Sequence, residues 1–177
     1  MTDTVPARIP MSKFNFCPRC GAPLLTEPGA RPTCSKRCGF VHYDNPTPVV
    51  AAIVEHEGKV LLARNKAWPV TWYALVAGFL ERDESPEDAV LREVKEEVGL
   101  DASAPTLIGA YPFARMNQVI LAYHVTTSGQ VTLGEELVDY KLVELSQCGA
   151  WRAGTGWALR DWLRARGYEP AMTDLPG

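Results

Sequence analysis

From residue 49 onward, apolar and polar residues alternate in short blocks that predict strands. Val49–Val54 is a continuous apolar run, and Lys59–Arg64 follows it after a turn at Glu55–Gly58, which predicts a hairpin. Similar blocks predict three further strands, at Thr106–Phe113, Val119–Thr126 and Tyr140–Leu145. The pattern therefore predicts a protein that is rich in strands, with helices between and after them.

Two helices are predicted, and the first has well-defined ends. Ser85 is a good N-cap, Pro86 suits the first helical position, and Gly99 is placed to end the helix. At about 100° per residue, four aliphatic side chains share one arc of this helix: Val90, Leu91, Val94 and Val98. The second helix covers Gly156–Arg166, and its apolar residues are interpreted as packing residues. One side of the first helix is therefore expected to face a core.

Three glutamates lie beside that apolar arc. Glu93, Glu96 and Glu97 are spaced i, i+3 and i+4, so a helix places them on one face. Carboxylates crowded in this way repel each other unless a cation is present, and Mg²⁺ and Mn²⁺ prefer such oxygen ligands. A solvated acidic face is the alternative that these three residues alone leave open. We interpret them as a metal site because of the residues around them.

The stretch from Gly78 to Leu100 resembles the signature of the Nudix hydrolases. The matching positions, at the spacing of that signature, are Gly78, Glu84, Arg92, Glu93, Val94, Glu96, Glu97, Gly99 and Leu100. The resemblance implies an α/β fold, an α/β/α sandwich with a mixed β-sheet. It also implies metal-dependent hydrolysis of a nucleoside diphosphate linked to another group, with cleavage of the pyrophosphate bridge.

The resemblance also implies roles for individual residues in metal binding. Glu96 and Glu97 would be the main ligands of Mg²⁺ or Mn²⁺, and Glu93 would be a further ligand or the general base. The backbone carbonyl of Gly78 would complete the metal shell. The spacing by itself shows only that the three acids can converge.

Two further roles are the fixing of the loop before the helix and the general base that accepts a proton. By resemblance, Arg92 is expected to pair with Glu84 and to fix the loop against the helix. Some relatives use a glutamate outside the signature as the general base, and Glu135–Glu136 is the candidate here, with Glu136 preferred. A polar turn before the last strand is the alternative interpretation of these two residues.

Substrate contacts are expected from arginines and aromatic residues. Arg64 and Arg115 are candidates for holding phosphate, although each is equally well explained as a surface charge. Five aromatic residues are candidates for stacking on an adenine or flavin ring: Trp68, Trp72, Tyr73, Tyr111 and Phe113. Core packing is the alternative for each of them.

Four cysteines near the N-terminus predict a zinc site. Cys17 and Cys20 form one closely spaced pair and Cys34 and Cys38 another, the usual pattern of a four-thiolate zinc ribbon. The second pair has three intervening residues where two are usual, so His42 is a possible replacement for Cys38. Disulfides or free thiols are the alternatives, but an expected cytoplasmic location disfavours disulfides. Because so short a segment buries little core, we expect the zinc to be structural.

The ribbon and the signature together resemble two groups of Nudix enzymes. NADH pyrophosphatases combine them, but the longer signature of those enzymes is reduced here to Pro112-Phe113. Compact members in which a Val-His-Tyr-x-Asn-Pro segment follows the ribbon are more similar, and Val41–Pro46 fits that pattern. Some of those act on FAD or ADP-ribose. The expected substrates are therefore FAD, NAD(H) or ADP-ribose.

Composition and charge set the remaining expectations. The chain of 177 residues has 46% hydrophobic and 22% charged residues and a net charge of −3, so nothing in its overall charge attracts nucleic acid. We expect a zinc-ribbon segment at 1–45, a Nudix domain at 46–167 and a flexible tail at 168–177. Without an apolar span or a signal peptide, the protein is expected in the cytoplasm.

Two alternatives from other classes stay open, and so does the oligomeric state. The first is an RNA-binding or RNA-decapping protein that uses the zinc ribbon, and the second is a nucleotide sensor that does not cleave its ligand. A sensor is expected to lose acids from the signature, and none is missing here. A homodimer is possible, because dimers are common among relatives.

Overall fold

The computed structural model describes residues 14–175, and the chain divides into two compact units, Met1–Asn45 and Pro46–Gly177. The first unit contains a two-stranded antiparallel pair, β1 (Leu24–Leu25) and β2 (Thr33–Cys34). Its buried apolar residues are Cys17, Ala22 and Cys34. Within the described residues this unit therefore has almost no hydrophobic core.

The second unit contains eight strands and two α-helices among its described residues. They are β3 (Thr47–His56), β4 (Lys59–Asn65), β5 (Val76–Phe79), α1 (Pro86–Val98), β6 (Ala102–Phe113), β7 (Gln118–Thr127), β8 (Leu137–Glu144), β9 (Ala150–Trp151), α2 (Thr155–Arg164) and β10 (Met172–Thr173). The five predicted strands and both predicted helices are present, with bounds shifted by a few residues. The hydrophobic pattern missed β5, β9 and β10, which are too short to show a period.

Six of these strands form one mixed sheet in the order β6-β7-β3-β4-β8, with β5 also paired to β3. The central strand β3 runs parallel to β7 over ten residue pairs and antiparallel to β4 and β5. The turn between β3 and β4 has two left-handed residues, Glu57 and Gly58, which suits the twist of a hairpin. Beyond this turn β4 diverges from β3, and β5 takes its place.

The two helices cover opposite faces of this sheet. Val50 and Val54 of β3 share a buried cluster with α1, whereas Ile53 lies in a cluster with Leu159 and Trp162 of α2. Alternate residues of a strand point to opposite faces, so β3 contributes to both cores. The fold is therefore an α/β/α sandwich with a mixed sheet, and that prediction is confirmed.

The segment after α2 was expected to be a flexible tail. In the structure, Met172–Thr173 forms a parallel pair with Ala150–Trp151, and the Thr173 hydroxyl donates to the Ala150 carbonyl at 3.3 Å. The described part of this segment is thus held by backbone pairing, a long-range contact that local composition does not reveal. Within residues 14–175, neither helix is long and apolar enough to span a membrane.

Candidate functional site

The signature helix α1 has the ends that its sequence predicts. Ser85 is extended, and its Oγ accepts a hydrogen bond from the Asp88 N–H at 3.1 Å. Gly99 is left-handed at φ 71°, and its N–H donates to the Lys95 carbonyl. Val90, Val94 and Val98 are fully buried against the sheet, with Ala89 beside them. The glutamates on the flank of the helix are therefore held in position along the sheet.

An acid cleft of about 480 Å³ lies beside α1. Six glutamates line it: Glu81, Glu93, Glu96, Glu97, Glu135 and Glu136. The structure thus brings the three signature glutamates together with both glutamates of the later loop. Arg92 and Gly78 line the same cleft. Crowded carboxylates with one neighbouring arginine make this an attractive site for divalent cations.

Arg92 connects the loop before α1 to the helix. Its guanidinium donates to Glu84 and to Glu93, both at 2.8 Å, to Glu96 at 3.1 Å and to the Phe79 carbonyl at 3.1 Å. The hydrogen bonds from Arg92 hold the pKa of Glu84 below its usual value. The structure places the expected Arg92–Glu84 pair and adds two contacts that orient the signature acids.

Burial raises the pKa of two of these acids. The pKa of Glu97 rises to about 8, chiefly because of burial and then because of the nearby charges of Glu93 and Glu136. Burial also raises the pKa of Glu93, against the opposing effect of Arg92. A divalent cation would offset this cost and keep the carboxylates ionised. The electrostatics therefore fit a metal site.

Gly78 is required by space rather than by backbone conformation. A Cβ at this position would lie 2.0 Å from the carboxylate carbon of Glu93. Gly78 stands on β5 opposite Val50, so this strand brings backbone directly beneath the Glu93 carboxylate. Gly78 therefore lies beside the signature acids, and the role of its carbonyl as a metal ligand stays a prediction.

The loop that carries Glu135 and Glu136 is bound to the end of α1. The N–H of Thr132 donates to the Val98 carbonyl at 2.9 Å, and the N–H of Gly134 donates to the Glu97 carbonyl at 2.8 Å. A Cβ on Gly134 would lie 2.3 Å from the Glu96 carbonyl oxygen. The loop thus satisfies carbonyls that the helix end leaves unpaired.

The end of β4 holds Glu136 from the other side. The Lys66 N–H donates to the Glu136 carbonyl at 2.9 Å, and the Asn65 side-chain amide donates to its carboxylate at 3.4 Å. Sequence reasoning missed Gly134, Asn65 and Lys66. Only the glycine directly before the acid pair gave a local signal.

An aromatic groove of about 420 Å³ shares Ala77, Gly78 and Phe79 with the acid cleft. Its aromatic lining consists of Trp68, Trp72, Phe79, Phe113 and Trp151. Phe79 is 58% exposed and Trp68 is 39% exposed, so large rings remain open to solvent here. The two cavities therefore place a charged region and an apolar region on either side of β5.

Of the seven predicted substrate contacts, all within the described range, Trp68, Trp72 and Phe113 line the aromatic groove, and the other four line neither cavity: Arg64, Tyr73, Tyr111 and Arg115. The Tyr111 hydroxyl donates to Asp161 at 3.1 Å, and burial raises the pKa of Tyr111 to about 12. Arg64 lies with its guanidinium 6.0 Å from the Tyr73 ring. Arg115 lies in a short 3-10 turn after β6.

The four N-terminal cysteines converge in the first unit. Their sulfurs all lie within 4.8 Å of one another, with Cys17 and Cys38 at 3.5 Å and Cys20 and Cys34 at 3.4 Å. These distances are far too long for disulfides. Sulfurs at about 2.3 Å from a tetrahedral zinc are about 3.8 Å apart, so the cluster fits this ion.

The geometry also bears on His42, which the sequence offered as a substitute ligand for Cys38. Among the described residues, the metal-compatible cluster contains Cys38 and does not contain His42. The His42 ring instead packs edge-on against Phe14 at 5.2 Å, and its Nε2 lies 3.9 Å from Asp44. A backbone N–H of Cys38 lowers the pKa of Cys34 to about 6. Despite a backbone hydrogen bond at Phe40 that lowers it, the neighbouring sulfurs and burial raise the pKa of Cys38 to about 11.

A family model for the NUDIX domain matches residues 45–165. The chain belongs to the NUDIX family. The match covers the signature helix α1, the strand β5 that lines both cavities, and the loop that carries Glu136. The resemblance seen in the signature residues is therefore confirmed for the family.

Curated NUDIX relatives include enzymes named NAD-capped RNA hydrolase NudC. The protein from Stutzerimonas stutzeri is 33% identical over 131 residues, which are 73% of this chain and 48% of that relative. The protein from Vibrio atlanticus is 34% identical over 117 residues, 66% of this chain and 43% of the relative. The chain thus spans about half the length of the curated relatives it matches.

Solved structures show the same NUDIX fold. A NUDIX hydrolase from Nitrosomonas europaea has a TM-score of 0.71 at 24% identity. The alignment covers 92% of this chain and 100% of the Nitrosomonas chain. An ADP-ribose pyrophosphatase from Streptococcus suis has a TM-score of 0.58 at 22% identity, and the alignment covers 73% of this chain and 100% of the Streptococcus chain. At these identities the similarity concerns the fold alone.

Proposed function

We propose that this protein hydrolyses the pyrophosphate bond of a nucleoside diphosphate derivative, with FAD, NAD(H) or ADP-ribose as the candidate substrates. The observation that carries the proposal is the common border of the acid cleft and the aromatic groove at Ala77, Gly78 and Phe79. A dinucleotide has the matching division into a charged bridge and flat rings. Family membership and the NudC relatives support the same reaction class.

The acid cleft is the proposed site of the pyrophosphate and of Mg²⁺ or Mn²⁺. Glu93, Glu96, Glu97 and the Gly78 carbonyl would hold the ion, which neutralises phosphate charge and lowers the pKa of a coordinated water. The raised pKa of Glu97 supports this assignment, because a cation is the simplest way to keep that carboxylate ionised. Arg92 orients Glu93 and Glu96 rather than contacting substrate.

Glu136 is the proposed general base. It lines the cleft, and backbone contacts from Lys66 fix its position. Its carboxylate would accept a proton from the attacking water as the water oxygen bonds to one phosphorus, the bond from that phosphorus to the bridging oxygen breaks, and the other half of the substrate leaves as a phosphate monoester. Glu93 is the alternative base, since it lies in the same cleft.

The aromatic groove is the proposed site of a ring of the substrate. Exposed aromatic faces such as those of Trp68 and Phe79 gain stacking and apolar burial when a flat ring covers them. Phe113 adds a further ring to the lining. This arrangement favours substrates with an adenine or flavin ring over simple sugar phosphates.

The cysteine cluster is proposed to bind a structural zinc. Four sulfurs leave a tetrahedral ion without an open position, and catalytic zinc sites keep such a position for water or substrate. The small core of the first unit supports this role, since metal binding then supplies folding free energy.

A hydrolysis screen tests the proposal. Purified protein would be incubated with Mg²⁺ and with Mn²⁺ against FAD, NADH, NAD⁺, ADP-ribose and nucleoside triphosphates, with products separated by chromatography. We expect release of AMP from at least one dinucleotide or ADP-ribose, and loss of that release in the Glu97→Gln variant. Turnover of triphosphates alone would contradict the proposed substrate class.

Nucleotide-capped RNA is the second candidate substrate. The curated relatives carry that activity in their names. Residues 1–45 also hold six Lys or Arg and three Asp or Glu, a net +3 against −6 for the rest of the chain. Four zinc-bound thiolates would reduce this excess but leave the first unit slightly positive. Cleavage of NAD-capped RNA faster than free NAD⁺ would favour this candidate, and equal or slower cleavage would dismiss it.

A further inference from the structure

The turn that follows β4, residues 65–68, runs from the acid cleft to the aromatic groove. Asn65 pairs with Leu137, the first residue of β8, and Trp68 lines the groove. The Trp68 N–H donates to the Asn65 carbonyl at 3.0 Å and closes the turn. Because Glu136 directly precedes Leu137, this one turn connects the proposed base with a wall of the proposed ring site.

The Asn65 side chain has a contact on each side of this turn. Its Oδ1 accepts the Ala67 N–H at 2.9 Å, the arrangement of an Asx turn. A backbone N–H can only donate, so this bond determines which end of the amide faces the turn. The Nδ2 is thereby directed to the Glu136 carboxylate, to which it donates at 3.4 Å. The register of β4 with β8 also shifts between Arg64 and Asn65, and such irregularities redirect a side chain.

Lys66, the next residue, contacts the same loop only at backbone carbonyls among the described residues. Its N–H donates to the Glu136 carbonyl at 2.9 Å, and its Nζ donates to the Glu135 carbonyl at 3.4 Å. The Asn65 amide instead contacts the carboxylate that would accept the proton. A neutral amide can orient a carboxylate without placing a full positive charge beside it, which would weaken it as a base. Asn65 is therefore the better candidate for aligning Glu136.

We propose that Asn65 is a positioning residue that couples a ring in the aromatic groove to the alignment of Glu136. This inference rests on the proposed function and adds a route by which the ring of the substrate raises the rate of hydrolysis. A ring stacked on Trp68 restrains the turn, and the restrained turn holds the Asn65 amide against the Glu136 carboxylate. The contact of 3.4 Å is long for a hydrogen bond, and catalytic hydrogen bonds often shorten when substrate binds.

Coupling of this kind selects substrates by rate as well as by affinity. If the ring contributed only uniform binding, removing its contacts would raise KM and leave kcat unchanged. With coupling, part of the binding energy of the ring is realised only in the transition state, so losing ring contacts lowers kcat as well. Nucleotides with a ring that reaches Trp68 would therefore turn over faster than ringless diphosphates.

Steady-state kinetics with ADP-ribose test the positioning role. Asn65→Asp keeps an oxygen for the Ala67 N–H and removes the donor to Glu136, so kcat should fall about tenfold while KM changes less than about twofold. Asn65→Leu also loses the turn contact, so its KM should rise as well. Lys59→Gln is the control, since it makes the same change in net charge at the opposite end of β4. A wild-type kcat in Asn65→Asp would overturn the proposal.

A double-mutant cycle tests the coupling to the groove. In the wild-type background, Trp68→Leu should raise KM and also lower kcat about fivefold. In the Asn65→Asp background, where the contact with Glu136 is already lost, Trp68→Leu should raise KM alone. Equal fold losses of kcat in the two backgrounds would show that the two residues act independently, and would overturn the coupling.

Hydrogen exchange of backbone amides tests the same coupling without turnover. AMP carries a ring and a phosphate, and ribose 5-phosphate carries the phosphate without the ring, so the difference between the two probes reports the ring. In the wild type, AMP should slow exchange in residues 65–68 and in residues 134–137, and ribose 5-phosphate should not. In Asn65→Asp, AMP should slow exchange in residues 65–68 alone.

The two measurements separate the coupling from the proposed reaction. If AMP protects residues 134–137 in both proteins, or in neither, the coupling is overturned even where ADP-ribose is hydrolysed. If the expected protection is found and no nucleotide derivative is hydrolysed, the proposed function fails and the coupling stands.

Discussion

The chain has two clusters of side chains that could hold a metal ion, and they are opposite in kind. The cysteine cluster of the first unit consists of four soft sulfurs within 4.8 Å of one another. The acid cleft of the second unit consists of hard carboxylates around about 480 Å³ of open space. A closed sulfur shell suits an ion that holds a fold, and an open oxygen shell suits an ion that handles phosphate.

The two units also differ in the size of their hydrophobic cores. The first has three buried apolar residues among those described, whereas the second has separate apolar clusters on both faces of its sheet. A fold without a core depends on its metal, and a fold with a core can keep unfavourable charges together for chemistry. The comparison teaches that the surrounding fold, as much as the ligands, determines what a metal site does.

The largest effect is expected from breaking the cysteine cluster. Cys17→Ala removes a ligand, and structural zinc binding is worth about 10–16 kcal/mol, so the first unit should unfold and the protein should lose its zinc. Zinc content by elemental analysis and proteolysis of residues 14–45 provide the measurements. Cys148→Ala is the control, because this buried thiol lies in the second unit. Unchanged zinc in the Cys17→Ala protein would refute the assignment.

Breaking the acid cleft should instead remove activity and leave the fold intact. Glu97→Gln keeps the shape of a metal ligand and removes its charge, so the rate of pyrophosphate hydrolysis should fall about a thousandfold, or about 4 kcal/mol. The unfolding temperature should stay the same or rise, because a partly buried acid with a raised pKa is replaced by a neutral group. Turnover near that of the wild type would show that Glu97 is not a ligand.

Two glycines of the acid cleft should separate activity from stability. Gly134→Ala forces a Cβ to 2.3 Å from the Glu96 carbonyl oxygen, and backbone cannot move aside cheaply, so we expect a loss of about 3 kcal/mol in unfolding free energy. Gly78→Ala meets the carboxylate end of Glu93, which can turn aside at the cost of its Arg92 contact, so stability should fall less than in Gly134→Ala and activity should fall. Denaturant unfolding and hydrolysis rates, measured on both variants, distinguish the two effects.

The smallest effect is expected from the variant that tests which residue is the general base. Glu136→Gln should lower the rate about a hundredfold, a typical contribution of general acid–base catalysis. Glu135→Gln is the matched control on the same loop and should lower it far less. Rates measured across a range of pH would show whether the ionisation that limits the wild-type rate disappears with Glu136. Equal losses in both variants would leave Glu93 as the base.

Local spacing was enough to predict α1 and its acids. Glu93, Glu96 and Glu97 share a face in any helix with this sequence, and Ser85 and Gly99 are capping residues whatever the surrounding fold. Local spacing could not tell which of the candidate substrate contacts line a cavity. Arg64, Arg115 and Tyr111 lie outside both cavities, because strand direction and long-range packing decide which side chains line a cleft.

The sequence by itself determined the family and the fold class and indicated two sets of candidate metal ligands, since each depends on short spacings along the chain. Only the tertiary structure showed that Gly134 binds the Glu136 loop to α1 and that β5 joins the acid cleft to the aromatic groove. The tertiary structure alone also showed that apolar side chains of β8 are open to solvent. These features depend on contacts between residues far apart in sequence, whose closeness is decided by the packing of the whole sheet.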